Sequence, residues 1–178
     1  MTPFHFDPKA YGPSVADLLA EPRLMPLGPG SLHPAARAAL RQFNPANDLG
    51  RPVADRDAAI ACHAGLWLYH DGLAESHAIS QGLDTPEGSF WHAVMHRREP
   101  DPWNSKYWWK RVGSHPVLTR LVTGSPALGY NYTNSPDFVH FCERVRGTNT
   151  PDEELAKRVQ LLEWQLLFDH CYRMSTGA

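Results

Sequence analysis

The stretch Thr150–Arg173, TPDEELAKRVQLLEWQLLFDHCYR, does most to limit what this chain can fold into. Thr150 to Glu153 match a capping box, so a helix begins there. On a helical wheel Leu155, Val159, Leu162 and Leu166 form one apolar stripe, and Leu161, Trp164 and Phe168 form a second. A helix that is apolar on two sides must be covered on two sides. It therefore belongs in the middle of a bundle. Glu163 and His170, seven residues apart, flank the first stripe.

The rest of the chain has almost no sustained apolar alternation and few β-branched runs, so strands are not expected. The expected fold is mainly α, an irregular helical bundle with a Pro/Gly-rich, loop-dominated N-terminal third. A chain of 178 residues reads as one globular domain, 1–178. Residues 1–54 (FDPKAYGP, EPRLMPLGPG, FNPANDLGRP) are mostly an irregular wrapping segment, because proline fixes φ and removes a donor. Two short helices fit in it, near Ser14–Ala20 and Pro34–Gln42. Asp55 caps a helix to about His70 that is apolar all round. That helix either breaks at Gly72 or runs on through LAESHAISQ, which would place His63, His70 and His77 on one stripe. Asp84 or Thr85 caps the next helix, Pro86 opens it, and Pro100 ends it. A short aromatic helix follows over Asn104–Val112. TGSPALGYNYTNSP reads as loop, with a hairpin as the alternative, and Ser135-Pro136-Asp137 opens a brief helix.

Charge and composition exclude several classes. The net charge is −2, which gives no general attraction to a phosphate backbone. No apolar run is long enough to span a bilayer, and MTPFHFDPKAYG lacks the pattern of a secretion signal. The expected location is the cytoplasm. The three cysteines, Cys62, Cys142 and Cys171, are odd in number and far apart, so they are expected as buried thiols rather than disulfides or a zinc knot.

Residues 90–116, FWHAVMHRREPDPWNSKYWWKRVGSHP, depart from this background. They hold His92, His96 and His115, four of the chain's six tryptophans, and five basic residues against Glu99 and Asp101. His92, His96 and Glu99 fall together at the edge of the apolar arc made by Phe90, Trp91, Val94 and Met95. Two histidines one helical turn apart can reach one ion, and imidazole suits Zn²⁺ or Fe²⁺. A third ligand would come from Glu163, His170 or the His70/His77 stripe. There is no HExxH motif and no Glu-x-x-His pair of the di-iron kind. Without a metal, the same residues suit acid–base chemistry, with His92, His96 and Glu99 as first choice and His70, Glu75 and His77 behind them. Arg97 and Arg98 would hold an anionic substrate. The competing reading makes Glu99 with either arginine a surface ion-pair cluster, and makes His63, His70 and His77 hydrogen-bonded interior groups. Trp91, Trp103, Asn104, Lys106, Tyr107, Trp108 and His115 complete the expected cleft as a flat apolar platform with polar edges. No Walker loop, GxGxxG or GxSxG is present.

One string in this region has a wider likeness. Ser89-Phe90-Trp91-His92, His96-Arg97-Arg98-Glu99-Pro100-Asp101, Asn104, Lys106-Tyr107-Trp108, Arg111-Val112-Gly113 and His115-Pro116 resemble the signature of a family of bacterial and fungal proteins with no assigned activity. With LWLYHDGLAESHAISQ upstream, the resemblance covers about a third of the chain. Trp103 and Trp109 lie outside the signature. The likeness implies no catalytic role. From the residues, three readings stay open. The first is an enzyme, a hydrolase or lyase, acting on a small polar or anionic substrate through a His/Glu/Arg cleft, with or without a divalent metal. The second is a non-catalytic small-ligand binder using the Trp/Arg platform. The third is nucleic-acid binding through the basic corner, which the net charge disfavours.

Overall fold

The computed structural model describes residues 4–178. Nine α-helices run through the described residues, and none of these residues is in a strand: α1 Pro13–Leu18, α2 Pro34–Gln42, α3 Arg56–Tyr69, α4 Leu73–Gln81, α5 Pro86–Arg98, α6 Pro102–Val112, α7 Pro116–Gly124, α8 Ser135–Val145 and α9 Pro151–Thr176. The protein is a mainly α bundle, as the patterning requires. No helix among the described residues is long and apolar enough to cross a membrane.

The helix starts follow a simple rule. Six of the nine helices begin with proline, whose missing N–H would have had no helical partner in any case. The residue before often supplies the cap. Asp55, Thr85, Asp101, Asn134 and Thr150 each accept a hydrogen bond from a first-turn amide. α6 begins two residues before the expected Asn104, because Asp101 caps it. α7 is an element that the spacing does not announce. Its cap is an imidazole, His115, whose Nδ1 accepts from the Val117 amide. Within TGSPALGYNYTNSP, Thr123-Gly124 end α7, Ser125–Leu128 form a 3₁₀ turn, residues 129–134 are loop without strand pairing, and Ser135-Pro136 open α8.

α9 lies at the centre, against α3, α7 and α8. Val159, Trp164, Leu166 and Phe168 are fully buried, and Leu155, Leu161 and Leu162 of the same stripes are half-buried against the core. α5 packs on α3, α4 and α6. Gly65 of α3 lets this happen closely: a Cβ there would come within 2.6 Å of the Trp91 ring.

The break between α3 and α4 is real, so His63, His70 and His77 do not share a stripe. Asp71 takes φ 66°, a left-handed conformation uncommon for a residue with a side chain. Its carboxylate explains why it stays there. It accepts from Arg98, from Arg23 at 2.5 Å and from the Ser31 amide at 3.3 Å. Gly30 makes room for it, since a Cβ there would sit 2.4 Å from the Asp71 carboxyl carbon.

The N-terminal third wraps the bundle, with α1 and α2 as the α-helices among its described residues. An extended segment in a core needs donors for its carbonyls. Gln160 Nε2 donates to the Met25 and Pro26 carbonyls at 3.2 Å each. Arg146 Nε donates to Leu27 and Arg98 Nε to Gly28, both at 3.1 Å. Long side chains thus do for residues 25–29 what a neighbouring strand would do in a sheet.

Arg97 forms a second buried ion pair. It grips Glu163 of α9 with both terminal nitrogens, at 3.2 and 2.5 Å, and its guanidinium lies 4.7 Å from the centre of the Phe138 ring. Removing one partner leaves the other charge stranded. Arg97→Ala should therefore cost about 3–5 kcal/mol. The double variant Arg97→Met/Glu163→Leu should lose clearly less. Guanidinium denaturation of the three proteins measures this; equal losses in the single and double variants would refute it.

Candidate functional site

α4, α5 and α6 bring three imidazoles together. His92 and His96 are one turn apart on α5, and His77 faces them from α4. Ring centres lie 4.6 Å apart for His77–His92, 5.3 Å for His77–His96 and 4.8 Å for His92–His96. Each ring offers a nitrogen within 4.8 Å of the other two. His92 and His96 are buried and His77 is half-buried. Trp108 of α6 lies flat on His92, centre to centre 3.8 Å and tilted by 15°. It shields one face of the group from water.

Hydrogen bonds decide what these rings can do. His96 Nδ1 lies 3.0 Å from Glu99 Oε2, so Nδ1–H donates to the carboxylate and Nε2 carries the lone pair. His92 Nδ1 is buried with no partner among the described residues. Burial pushes the His92 imidazolium down to about 3, helped by the neighbouring His77 and His96 rings. Burial also lowers His96, against the pull of Glu99. Three imidazoles together, two of them with the charged form disfavoured by burial and one backed by a carboxylate, are a donor set that fits a transition-metal ion.

Glu87, His115 and His170 form a second convergent group. Here the proton positions point the other way. His115 Nδ1 already accepts from the Val117 amide at 3.2 Å. Its proton is therefore on Nε2, which donates to Glu87 Oε1 at 3.3 Å. His170 Nε2 donates to the same oxygen at 3.2 Å. An ion at this point would displace both bonds and demand the other tautomer of His115. The group is a hydrogen-bonded link between the N-terminus of α5, the α6–α7 corner and α9.

Several expected site residues are elsewhere. Arg97 and Arg98 do not hold a substrate; they are fully buried and committed to Glu163 and Asp71. A guanidinium at a helix end reads as a surface group, and its partner 66 or 27 residues away is not visible locally. Glu163 and His170 are not third ligands, since Arg97 and Glu87 occupy them. His70 Nε2 bonds the Leu18 carbonyl at 2.8 Å, away from the trio. His115 belongs to the second group, and Trp91 is core against Gly65. Asn104 bonds Asp101 at 2.7 Å. Tyr107 and Lys106 turn away from the imidazoles and line a groove of about 1010 Å³ between α6, α7 and the start of α8. The expected single cleft is thus two places, on two faces of α6. His77, placed behind His92 and His96 by sequence, is a full member of the trio.

Comparison with family models, curated proteins and solved structures finds no match to this chain.

Glu87 lends itself to a direct test. Its burial alone would raise its pKa, but the bonds from His115 and His170 outweigh this and hold it well below the usual carboxylate range. A depressed carboxylate stabilises the fold above its unfolded pKa of roughly 4.3 and loses that contribution as pH falls through the lower folded value. Glu87→Gln should cost about 1–3 kcal/mol at neutral pH. The gap from the parent should persist near pH 4 and narrow only in stronger acid. Urea melts from pH 7 down to pH 2 give the answer; a gap already closed at pH 5 would contradict the depressed value.

Proposed function

We propose that this protein is a metal-dependent enzyme whose ion is held by His77, His92 and His96, with hydrolysis or lyase chemistry on a small polar substrate. The observation that carries this reading is the meeting of three imidazoles, one with a buried nitrogen left without a partner. Zn²⁺ suits the set better than Fe²⁺. The usual iron triad includes a carboxylate ligand, and the nearest one, Glu99, is spent on His96 Nδ1. An ion held by His77, His92 and His96 would keep an open position for substrate or water and would supply Lewis-acid chemistry there.

The chain's own groups have separate tasks. Glu99 fixes the orientation of His96 and strengthens it as a donor. Its side chain is 56% exposed, so it sits at the rim. Trp108 keeps water from the back of His92. An anionic substrate loses its support once Arg97 and Arg98 are placed in the core; a neutral polar substrate fits better. The three buried free thiols suit a reducing, cytoplasmic setting.

The test is elemental analysis of protein purified without a histidine tag, followed by zinc titration calorimetry. One zinc per chain is expected. His92→Ala and His96→Ala should abolish tight binding, and Glu99→Gln should weaken it about 10–100-fold. Zinc-loaded protein should hydrolyse small ester or amide probes, and a chelator should stop it. Substoichiometric metal together with no heat of zinc binding would end this reading.

A further inference from the structure

We infer that the groove on the other face of α6 is a separate site for a small amphipathic anion, with a planar aromatic body and one acidic group. Four large apolar side chains are conspicuously exposed in the described residues, and three of them line this groove: Trp103 at 75%, Tyr107 at 47% and Val122 at 45%. Leaving an indole in water forgoes a large share of the burial that stabilises folded chains. Trp103 and Tyr107 are one turn apart on α6. Their rings are parallel to within 8°, with centres 6.4 Å apart, so they present flat faces in one direction. Leu118 of α7 supplies apolar wall opposite.

The charge is one-sided. Lys106 and Lys110 line the groove, and none of its lining residues is Asp or Glu. Lys106 Nζ lies 3.0 Å from His140 Nε2, and with that ring as acceptor it has two further N–H donors. Lys110 is in no ion pair among the described residues. Two uncompensated ammonium groups beside an apolar wall, in a chain of net charge −2, select an anion. Of the other polar groups, Tyr132 donates to Ser135 Oγ at 2.9 Å and Asn134 caps α8, whereas the buried Trp109 Nε1 has no partner among the described residues.

Size favours a small molecule over a protein. The groove volume of about 1010 Å³ is at the upper end of the ~300–1,000 Å³ typical of ligand pockets. A stable protein interface needs about 800 Å² per partner. The remaining exposed apolar side chain, Met174, is on α9 and does not line the groove. The site is independent of the imidazole trio, none of which lines it.

The experiment is calorimetric titration of the full chain with 2-naphthoate, and with neutral 2-naphthamide as its uncharged match. One naphthoate per chain should bind, about tenfold more tightly than the amide. Lys106→Gln/Lys110→Gln should bring naphthoate down to the level of the amide and leave the amide unchanged. Trp103→Ala should weaken both by about tenfold, whereas His92→Ala should change neither. These groove residues are at the surface, and circular dichroism confirms that the variants fold. Absence of naphthoate binding at millimolar concentration overturns the proposal. Binding indifferent to the lysines and to Trp103 does so too. So does a dimer in sedimentation that Trp103→Ala dissociates, because the occupant is then a second copy of the chain.

Discussion

The two consecutive arginines at the end of α5 fix the rest of the molecule. Successive residues on a helix point about 100° apart, so Arg97 and Arg98 reach into different neighbourhoods. Arg97 goes to Glu163 on the central helix. Arg98 goes to Asp71 and to the carbonyls of Gly28, Pro29 and Leu68. Desolvating four charged groups is costly, and apolar substitutes of the same shape often stabilise as much. Apolar side chains, however, slide and rotate at small cost. The two ion pairs hold α5 to α9 and to the α3–α4 break in the rotation observed. That rotation determines that His92 and His96 face α4 and α6.

Arg98 has a further effect. Burial pushes its guanidinium down to about 10 even with Asp71 beside it, which still leaves it charged at neutral pH. With that charge it joins three segments: the α3–α4 break, the wrapping chain and α5. The wrapping chain needs this, because residues 25–29 have no strand partner. Gln160, Arg146 and Arg98 meet its carbonyls one after another. The irregular N-terminal third and the buried charges are parts of one solution. Loop chain can enter a core when side chains supply the donors.

The legible parts of the sequence were the local ones. Cap residues and N1 prolines mark helix starts through a single turn of backbone, so α2, α3, α5 and α9 stand close to their expected bounds. The double stripe on α9 places it centrally without knowledge of its neighbours. His92 and His96 share a face by spacing alone. What could not be read was decided between distant residues. Nothing near Arg97 names Glu163, and nothing near His92 names His77. The aromatic run misled for a related reason. Tyr107 and Trp108 are adjacent, so they cannot share a face; Trp108 backs an imidazole, and Tyr107 faces a groove with Trp103. α7 opens as α2 does, on a histidine cap before a proline, so its start carried the same local signal at His115-Pro116.

The two polar clusters show why proximity of ligand-type residues is a weak guide. Both contain two or three imidazoles on neighbouring helices, and both are compact enough for one ion. The difference is in where the protons must be. In Glu87–His115–His170 the carboxylate lies between two N–H donors, and a backbone amide occupies the remaining nitrogen of His115. Both nitrogens of His115, Nε2 of His170 and Oε1 of Glu87 are bonded, so an ion at this point would have to break bonds to enter. In His77–His92–His96 the single carboxylate lies behind a ring rather than among the rings, and the buried His92 Nδ1 has no hydrogen-bond partner among the described residues. A buried nitrogen without a partner is destabilising unless something arrives to use it. The first cluster is closed by its own hydrogen bonds, whereas the second keeps a buried imidazole nitrogen without a partner among the described residues.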